Sequence, residues 1–152
     1  MVAASDPSDA PAAVPVAAPL PIAPIVLYDG TCGLCHRSVK WLLRHERGAE
    51  LSFAPLQGTT AAALRLRHPR IPTDIDTVVL VDGGRAHLRS KAFLFGARYL
   101  RAPWRWGYAF RWMPAFVLDV AYRVIAALRY RIWGRVDACE LPSPGQRARF
   151  LP

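Results

Sequence analysis

The hydrophobic and polar positions around residue 30 follow first the spacing of a strand and then that of a helix. Residues 25–28 are four consecutive apolar or aromatic residues, and the turn-forming stretch Asp29-Gly30-Thr31 comes next. Beyond the turn, the apolar side chains of Cys35, Val39, Leu42 and Leu43 recur at helical spacing. Arginine and lysine fall on the other side of this helix. The pattern predicts a strand, a tight turn, and a helix that begins at Cys32.

Short apolar runs alternate with turn residues over the next seventy positions or so. They predict, in order, a C-cap at Gly48, a strand over residues 51–55, a helix from Thr59 to Arg67, a hairpin of strands 77–81 and 85–89, and a helix from Ser90 to about Leu100. Thr59 and Ser90 are the predicted N-caps of the two helices. This order, with two cysteines after the first strand, predicts an α/β fold: a thioredoxin-like mixed sheet with flanking helices.

The chain changes character beyond Leu100, where aromatic residues and arginines interleave. Pro103 and Pro114 each stand where the first turn of a helix would start, so we expect a C-terminal helical extension. We expect its helices to pack on the sheet as part of the core, with arginine stems covering the sheet edge. The alternative is a basic, aromatic surface that lies on an anionic membrane or a partner protein.

The N-terminal residues differ in composition from the rest of the chain. Residues 1–24 contain six prolines and eight alanines, with no lysine or arginine. The prolines interrupt the apolar run that a secretory signal requires. We therefore expect a disordered, Pro/Ala-rich extension over residues 1–23 and one domain over residues 24–150 that includes the C-terminal helices.

Overall composition narrows the functional classes. Hydrophobic residues make up 53% of the chain, and its net charge of +9 comes from eighteen arginines and two lysines against eleven acidic residues. We expect no nucleic acid binding, because so strong a preference for arginine also follows from genome composition. Three cysteines are too few for a disulfide framework. A cytoplasmic redox protein fits this composition.

The cysteines at the start of the first helix form a Cys-x-x-Cys pair. A helix N-terminus stabilises a thiolate, so Cys32 is the expected nucleophile, exposed at the helix start. Cys35 lies one turn deeper, within bonding reach of Cys32, and is the expected resolving cysteine. Asp29 has two interpretations: a turn residue whose carboxylate accepts backbone N–H bonds, or a proton acceptor for Cys35.

Two other chemistries of this pair are less consistent with the sequence. Cys32-Gly33-Leu34-Cys35-His36 satisfies the pattern of covalent haem attachment, which needs export. A zinc or iron site could combine the pair with Cys139 or His36, but four-ligand sites of this kind normally show a second closely spaced pair. We expect neither a cofactor nor a metal ion.

Asp29-x-x-Cys32-x-x-Cys35 after a strand, together with Cys139-x-Leu141-Pro142-Ser143-Pro144 near the end, resembles the DCC family, named for its Asp-Cys-Cys motif. The resemblance covers about residues 24 to 150, including Asp82-Gly83-Gly84, Ser90-Lys91 and Tyr130-Arg131-x-Trp133-Gly134. It implies a thiol-disulfide oxidoreductase with a thioredoxin-like fold, and it marks Asp29, Cys32 and Cys35 as motif positions. Cys139 is a family feature whose role the resemblance does not define.

These observations predict a thiol-disulfide oxidoreductase of the protein-disulfide reductase type, with a redox-active disulfide between Cys32 and Cys35. The expected partners are a disulfide-containing protein or small thiol substrate and a thiol electron donor, with weak membrane-surface contact as a further possibility. The alternative is a non-catalytic adaptor, redox-sensitive or metal-holding, that docks through its basic aromatic C-terminal helices.

The N-terminal extension is predicted to be dispensable for folding. Its proline and alanine content cannot bury enough apolar surface to offset the entropy of ordering it. Deletion of residues 1–21 should leave the midpoint of thermal unfolding, followed by circular dichroism, nearly unchanged. A drop of many degrees would show that the extension packs on the domain.

Overall fold

The computed structural model describes residues 23–73, 77–135 and 144–152, which form a four-stranded mixed sheet with helices on both faces. The strands are β1 (Ile25–Tyr28), β2 (Ser52–Pro55), β3 (Val79–Asp82) and β4 (Arg85–Leu88), in the spatial order β2-β1-β3-β4. β1 runs parallel to β2 and antiparallel to β3, and β3 and β4 form the predicted hairpin. The expected α/β fold with a mixed sheet is confirmed.

Within these residues, four α-helices flank the sheet: α1 (Gly33–His45), α2 (Thr59–Arg67), α3 (Ser90–Gly96) and α4 (Ala115–Trp133). The same part of the chain contains three 3-10 helices, which are Ala97–Tyr99, Trp104–Trp112 and Pro144–Arg149. The parallel β1-α1-β2 unit places the start of α1 at the carboxyl end of β1. The two cysteines therefore lie at the central strand β1, as the sequence pattern predicts.

The predicted helix caps are wrong by one or two residues. Gly58 and Arg89, rather than Thr59 and Ser90, are the N-caps, and the Ser90 hydroxyl instead donates to Asp119 Oδ1 at 2.5 Å. Helix α1 ends at His45, and its C-cap is Glu46 rather than Gly48. The Glu46 carboxylate accepts the Leu51 N–H at 2.6 Å, so a buried side chain fixes this helix end.

Each face of the sheet carries its own hydrophobic core. One core contains alternate residues of β1 with α1, α3 and both cysteines: Val26, Tyr28, Cys32, Cys35, Val39, Leu51, Phe53, Leu80, Ala92 and Tyr99. The other contains the remaining β1 residues with α2: Ile25, Leu27, Ala54, Leu56, Ala61, Leu64, Ile71, Val79 and Val81. Because neighbouring strand residues point to opposite faces, the unbroken apolar run of β1 supplies both cores.

The expectation that the C-terminal helices belong to the core is wrong for much of their surface. Tyr130 of α4 packs against the core that holds the cysteines, and Arg129 is buried. Three large aromatic side chains instead face solvent, with exposed fractions of 70% for Trp106, 81% for Trp112 and 71% for Phe116. One side of helix α4 contacts α1 and α3.

Two regions named in the sequence analysis lie outside the described residues: most of the N-terminal extension, residues 1–22, and the segment around Cys139, residues 136–143. Within the described part of the chain, none of the helices has the length and hydropathy needed to cross a membrane.

Candidate functional site

The two thiols meet at the first turn of α1. Cys32 is the N-cap residue with extended backbone, and its Sγ accepts the N–H of Cys35 at 3.4 Å. Neither thiol is in a disulfide. The strand, turn and helix that the sequence pattern predicts therefore bring Cys32 and Cys35 together, with Cys32 at the helix N-terminus.

The predicted exposure of Cys32 is wrong. Cys32 is fully buried at 0% exposure, and Cys35 is 6% exposed. The chain after α4 lies over them: Cys32 forms an isolated antiparallel bridge with Arg135, and Gly33 N–H donates to the carbonyl of Gly134 at 3.3 Å. A Cβ atom on Gly33 would stand 2.6 Å from the carbonyl oxygen of Trp133, so the close approach requires glycine at position 33.

Burial raises the pKa of the Cys35 thiol to about 12, and the neighbouring Cys32 sulfur adds to the rise. A backbone hydrogen bond from Asp29 and the positive charge of Arg129 act in the opposite direction. Cys35 is consequently protonated at neutral pH when both cysteines are reduced.

Cys35 also lines an apolar cavity of about 340 Å³ between α1, α3 and α4. Its walls include the aromatic rings of Tyr28, Phe93 and Tyr122 and the side chain of Arg129. A protein side chain or small molecule that entered this cavity would reach Cys35 and not Cys32, because Cys32 lies outside its lining.

The carboxylate of Asp29 is buried, at 1% exposure, and organises the turn before the cysteines. Its Oδ1 atom accepts the Thr31 N–H at 2.9 Å, the Thr31 hydroxyl at 2.8 Å and the Gln57 side-chain amide at 3.0 Å. Gln57 in turn accepts the Gly30 N–H at 3.2 Å. These contacts agree with the interpretation of Asp29 as a turn residue whose carboxylate accepts backbone N–H bonds.

The other carboxylate oxygen of Asp29 faces α4. Its Oδ2 atom accepts the Tyr130 hydroxyl and lies 3.6 Å from Arg129 Nη2, and Arg129 Nη2 also donates to the Tyr130 oxygen at 3.0 Å. Burial raises the pKa of Asp29, but hydrogen bonds from Tyr130, Thr31 and Gln57 outweigh it and hold that pKa below its usual value. A carboxylate with a lowered pKa is a weak base, which disfavours the proton-acceptor interpretation.

Sequence reasoning missed Tyr130 and Arg129. Tyr130 is in the Tyr-Arg-x-Trp-Gly stretch, but nothing local to that stretch indicates that its hydroxyl meets a carboxylate 101 residues away. The sequence gives a stronger indication of a long-range contact at Arg129. An arginine that is buried on the inner side of a mostly apolar helix needs a buried acidic partner.

The other candidate metal ligands named from the sequence are His36 and Cys139. His36 Nε2 is hydrogen-bonded to the Gly30 carbonyl at 2.8 Å, and Cys139 lies outside the described residues. In residues 23–73, 77–135 and 144–152, no three or more histidine, cysteine or acidic side chains are placed to hold a metal ion.

Comparison with known proteins gives a consistent result. Residues 26–135 match the family model of DCC1-like thiol-disulfide oxidoreductases. The chain is 36% identical over 129 residues to the uncharacterized protein YuxK of Bacillus subtilis, which covers 84% of this chain and 93% of YuxK. It is 39% identical over 119 residues to a chloroplastic DCC family protein of Arabidopsis thaliana, covering 78% of this chain and 69% of that protein. No solved structure matches significantly.

Replacement of Tyr130 by phenylalanine should destabilise the protein in a pH-dependent way. The folded-state pKa of Asp29 lies below the unfolded-state value of about 3.9, so the bonded carboxylate stabilises the fold above pH ~4, and this contribution is lost as the pH falls through the folded-state pKa. Loss of a donor to a charged group costs about 1–3 kcal/mol. Urea unfolding should show the full difference between Tyr130→Phe and wild type at pH 7 and a smaller one near pH ~3.

Tyr108→Phe is the matched control, since it removes a tyrosine hydroxyl from the segment Trp104–Trp112, where the ring packs edge-on against Phe95. It should change the free energy of unfolding little at either pH. Equal effects of the two substitutions, or a Tyr130→Phe effect that does not depend on pH, would contradict the assigned contact with Asp29.

Proposed function

Since the chain belongs to the DCC1-like thiol-disulfide oxidoreductase family, we propose that it exchanges disulfides through Cys32 and Cys35. The observation that carries the proposal is the placement of two free cysteines at one helix start, where the backbone N–H of Cys35 donates to Cys32 Sγ at 3.4 Å. A helix N-terminus favours a thiolate, whereas burial raises the pKa of Cys35 to about 12. Cys32 is therefore the first nucleophile.

The reaction proceeds in two exchanges. The Cys32 thiolate attacks one sulfur of the substrate disulfide, forms a mixed disulfide, and releases the other sulfur as a thiolate. Cys35 then loses its proton and attacks the Cys32 sulfur, which gives the Cys32–Cys35 disulfide and releases the second substrate thiol. Two electrons pass from the dithiol to the substrate, and an external thiol must return them.

Asp29 is the positioning residue of this site. Its backbone N–H is hydrogen-bonded to the Cys35 sulfur, and its carboxylate holds Arg129, whose charge lowers the pKa of Cys35. Both effects favour the Cys35 thiolate that the second exchange needs. The carboxylate itself has hydrogen-bond donors at both oxygens, so the proton of Cys35 leaves to another acceptor.

Exchange also requires the cover over Cys32 to move. Among the residues that the structure describes, two main-chain contacts hold residues 133–135 over the pair: the Cys32 to Arg135 bridge and the hydrogen bond between Gly33 and Gly134. The opening of so few contacts is compatible with turnover. We propose a disulfide-containing protein or a small disulfide as substrate, in a protein-disulfide reductase type of reaction in the cytoplasm.

The burial of both sulfurs favours one alternative, a non-catalytic redox-sensitive adaptor. Thiols that are 0% and 6% exposed would react once with an oxidant that opens the cover and would not turn over. The two functions differ in a measurable way. An enzyme reduces many equivalents of disulfide with added thiol, whereas an adaptor consumes one.

Cys35→Ser should trap a mixed disulfide on Cys32, because the variant keeps the nucleophile and loses the thiol that resolves it. The experiment is best done with Cys139→Ser also present, so that two thiols remain in the control and one in each variant. After incubation with glutathione disulfide, Cys35→Ser should carry one glutathione adduct on Cys32 by non-reducing mass spectrometry. Dithiothreitol should remove it, and Cys32→Ser should carry far less.

Cys139→Ser alone tests the third cysteine. It should keep disulfide reductase activity within a few fold of wild type, since the proposed exchange uses Cys32 and Cys35. Complete loss of activity would make Cys139 a redox partner.

In the trapping experiment, an adduct on Cys35 in Cys32→Ser, with none in Cys35→Ser, would reverse the assigned roles. Consumption of a single equivalent of disulfide by the wild-type protein would favour the adaptor.

A further inference from the structure

The outward side of α4 is apolar although it faces solvent. Aliphatic residues recur there every three or four positions over about 22 Å of helix at a rise of ~1.5 Å per residue. We call these residues the outer face of α4: Val117, Val120, Val124, Leu128 and Ile132. All five are exposed. So long an exposed apolar stripe is typical of an interaction site.

Polar contacts on the inner side of α4 fix the direction in which the outer face points. The Tyr122 hydroxyl accepts the Val78 N–H at 3.1 Å, and Asp119 accepts the Ser90 hydroxyl at 2.5 Å. Farther along, Arg129 lies 3.6 Å from the Asp29 carboxylate. Rotation of α4 to bury its outer face would break all three contacts and expose a buried charge, so the apolar residues stay outside.

Exposed aromatic residues and one methionine extend the apolar surface ahead of α4. We call this set the aromatic elbow: Trp106, Phe110, Trp112, Met113 and Phe116. It joins the segment Trp104–Trp112 to the start of α4. Tryptophan combines a large apolar ring with a polar N–H, a combination that is enriched where a protein meets the surface of a membrane.

The same part of the chain is strongly positive. Residues 101–135 contain seven arginines and one acidic residue, Asp119, which is bonded to Ser90. Five of these arginines are exposed: Arg101, Arg105, Arg123, Arg131 and Arg135. Arg123 and Arg131 belong to α4 itself, and arginine stems can lie along an apolar surface while their guanidinium groups reach charged lipid headgroups.

We propose that the outer face of α4 and the aromatic elbow bind the surface of an anionic lipid bilayer, with α4 lying in the plane of the interface. Apolar burial and attraction between arginine and anionic headgroups act together in such helices. A second copy of the chain is a poorer occupant, because it would bring the same exposed arginines against one another. The proposal does not involve the dithiol and goes beyond the proposed function.

Vesicle flotation tests the proposal with the full chain. The protein should float with vesicles of phosphatidylcholine and phosphatidylglycerol and stay behind with phosphatidylcholine alone, and 0.5 M salt should weaken the binding. Tryptophan emission should shift to shorter wavelength on binding.

Val124→Asp should reduce partitioning onto the vesicles by roughly tenfold or more, because it places a negative charge in the outer face. The double variant Arg123→Gln/Arg131→Gln should also reduce it by roughly tenfold.

Helix α2 offers matched controls on the opposite face of the sheet. Leu66 is 88% exposed beside the exposed Arg67, and Arg70 is exposed just beyond the end of this helix, so the α2 variants Leu66→Asp and Arg67→Gln/Arg70→Gln make the same chemical changes elsewhere. These controls should bind vesicles like wild type, and every variant should keep its thermal midpoint. Equal binding to both lipid compositions, or equal losses in the α2 variants, would overturn the proposal. Dimerisation in sedimentation equilibrium that Val124→Asp abolishes, without vesicle binding, would assign the face to a second copy.

Discussion

A single buried carboxylate connects the parts of this structure that matter for its chemistry. Asp29 is 1% exposed, and an unpaired charge in such a place would cost several kcal/mol. Its partners come from three places in the chain: the turn before α1 through Thr31, the residue Gln57 after β2, and helix α4 through Tyr130 and Arg129. Because all of them must be in place to satisfy the charge, the position of α4 and the geometry of the dithiol turn depend on each other.

This dependence bears on reactivity at the proposed site. In the reduced protein, contact with the Cys32 sulfur adds to the burial that raises the pKa of Cys35 to about 12. In the mixed disulfide of the proposed exchange, the Cys32 sulfur has no ionisable proton and no longer adds to the raised pKa of Cys35, while Arg129 and the Asp29 N–H remain. The arrangement therefore keeps Cys35 protonated before the first exchange and makes its ionisation easier at the step where the proposed mechanism needs it.

The sequence predicts well what local pattern determines. The apolar run of β1, the turn at Asp29 and the helical spacing from Cys35 place the two cysteines correctly, and Asp82-Gly83-Gly84 places the hairpin. The errors concern contacts between distant residues. The burial of Cys32 depends on Arg135, and the partners of Asp29 include a hydroxyl 101 residues away. The periodicity of the sequence gives no information about contacts over such distances. The exposure of Phe116 was missed for a related reason: aromatic content normally indicates a core, and the side of α4 that packs depends on polar contacts with distant residues.

Helix α4 reverses the usual arrangement of a surface helix, which buries apolar residues and exposes polar ones. Its inner side carries Asp119, Tyr122 and Arg129 in specific polar contacts, and its outer face is aliphatic. The polar contacts fix this orientation, because rotation of the helix would separate the buried charge of Asp29 from Tyr130 and Arg129. The helix ends at Trp133, directly before the residues that cover Cys32. One helix thus supplies the partners of the buried carboxylate, the proposed membrane surface, and the start of the cover over the dithiol.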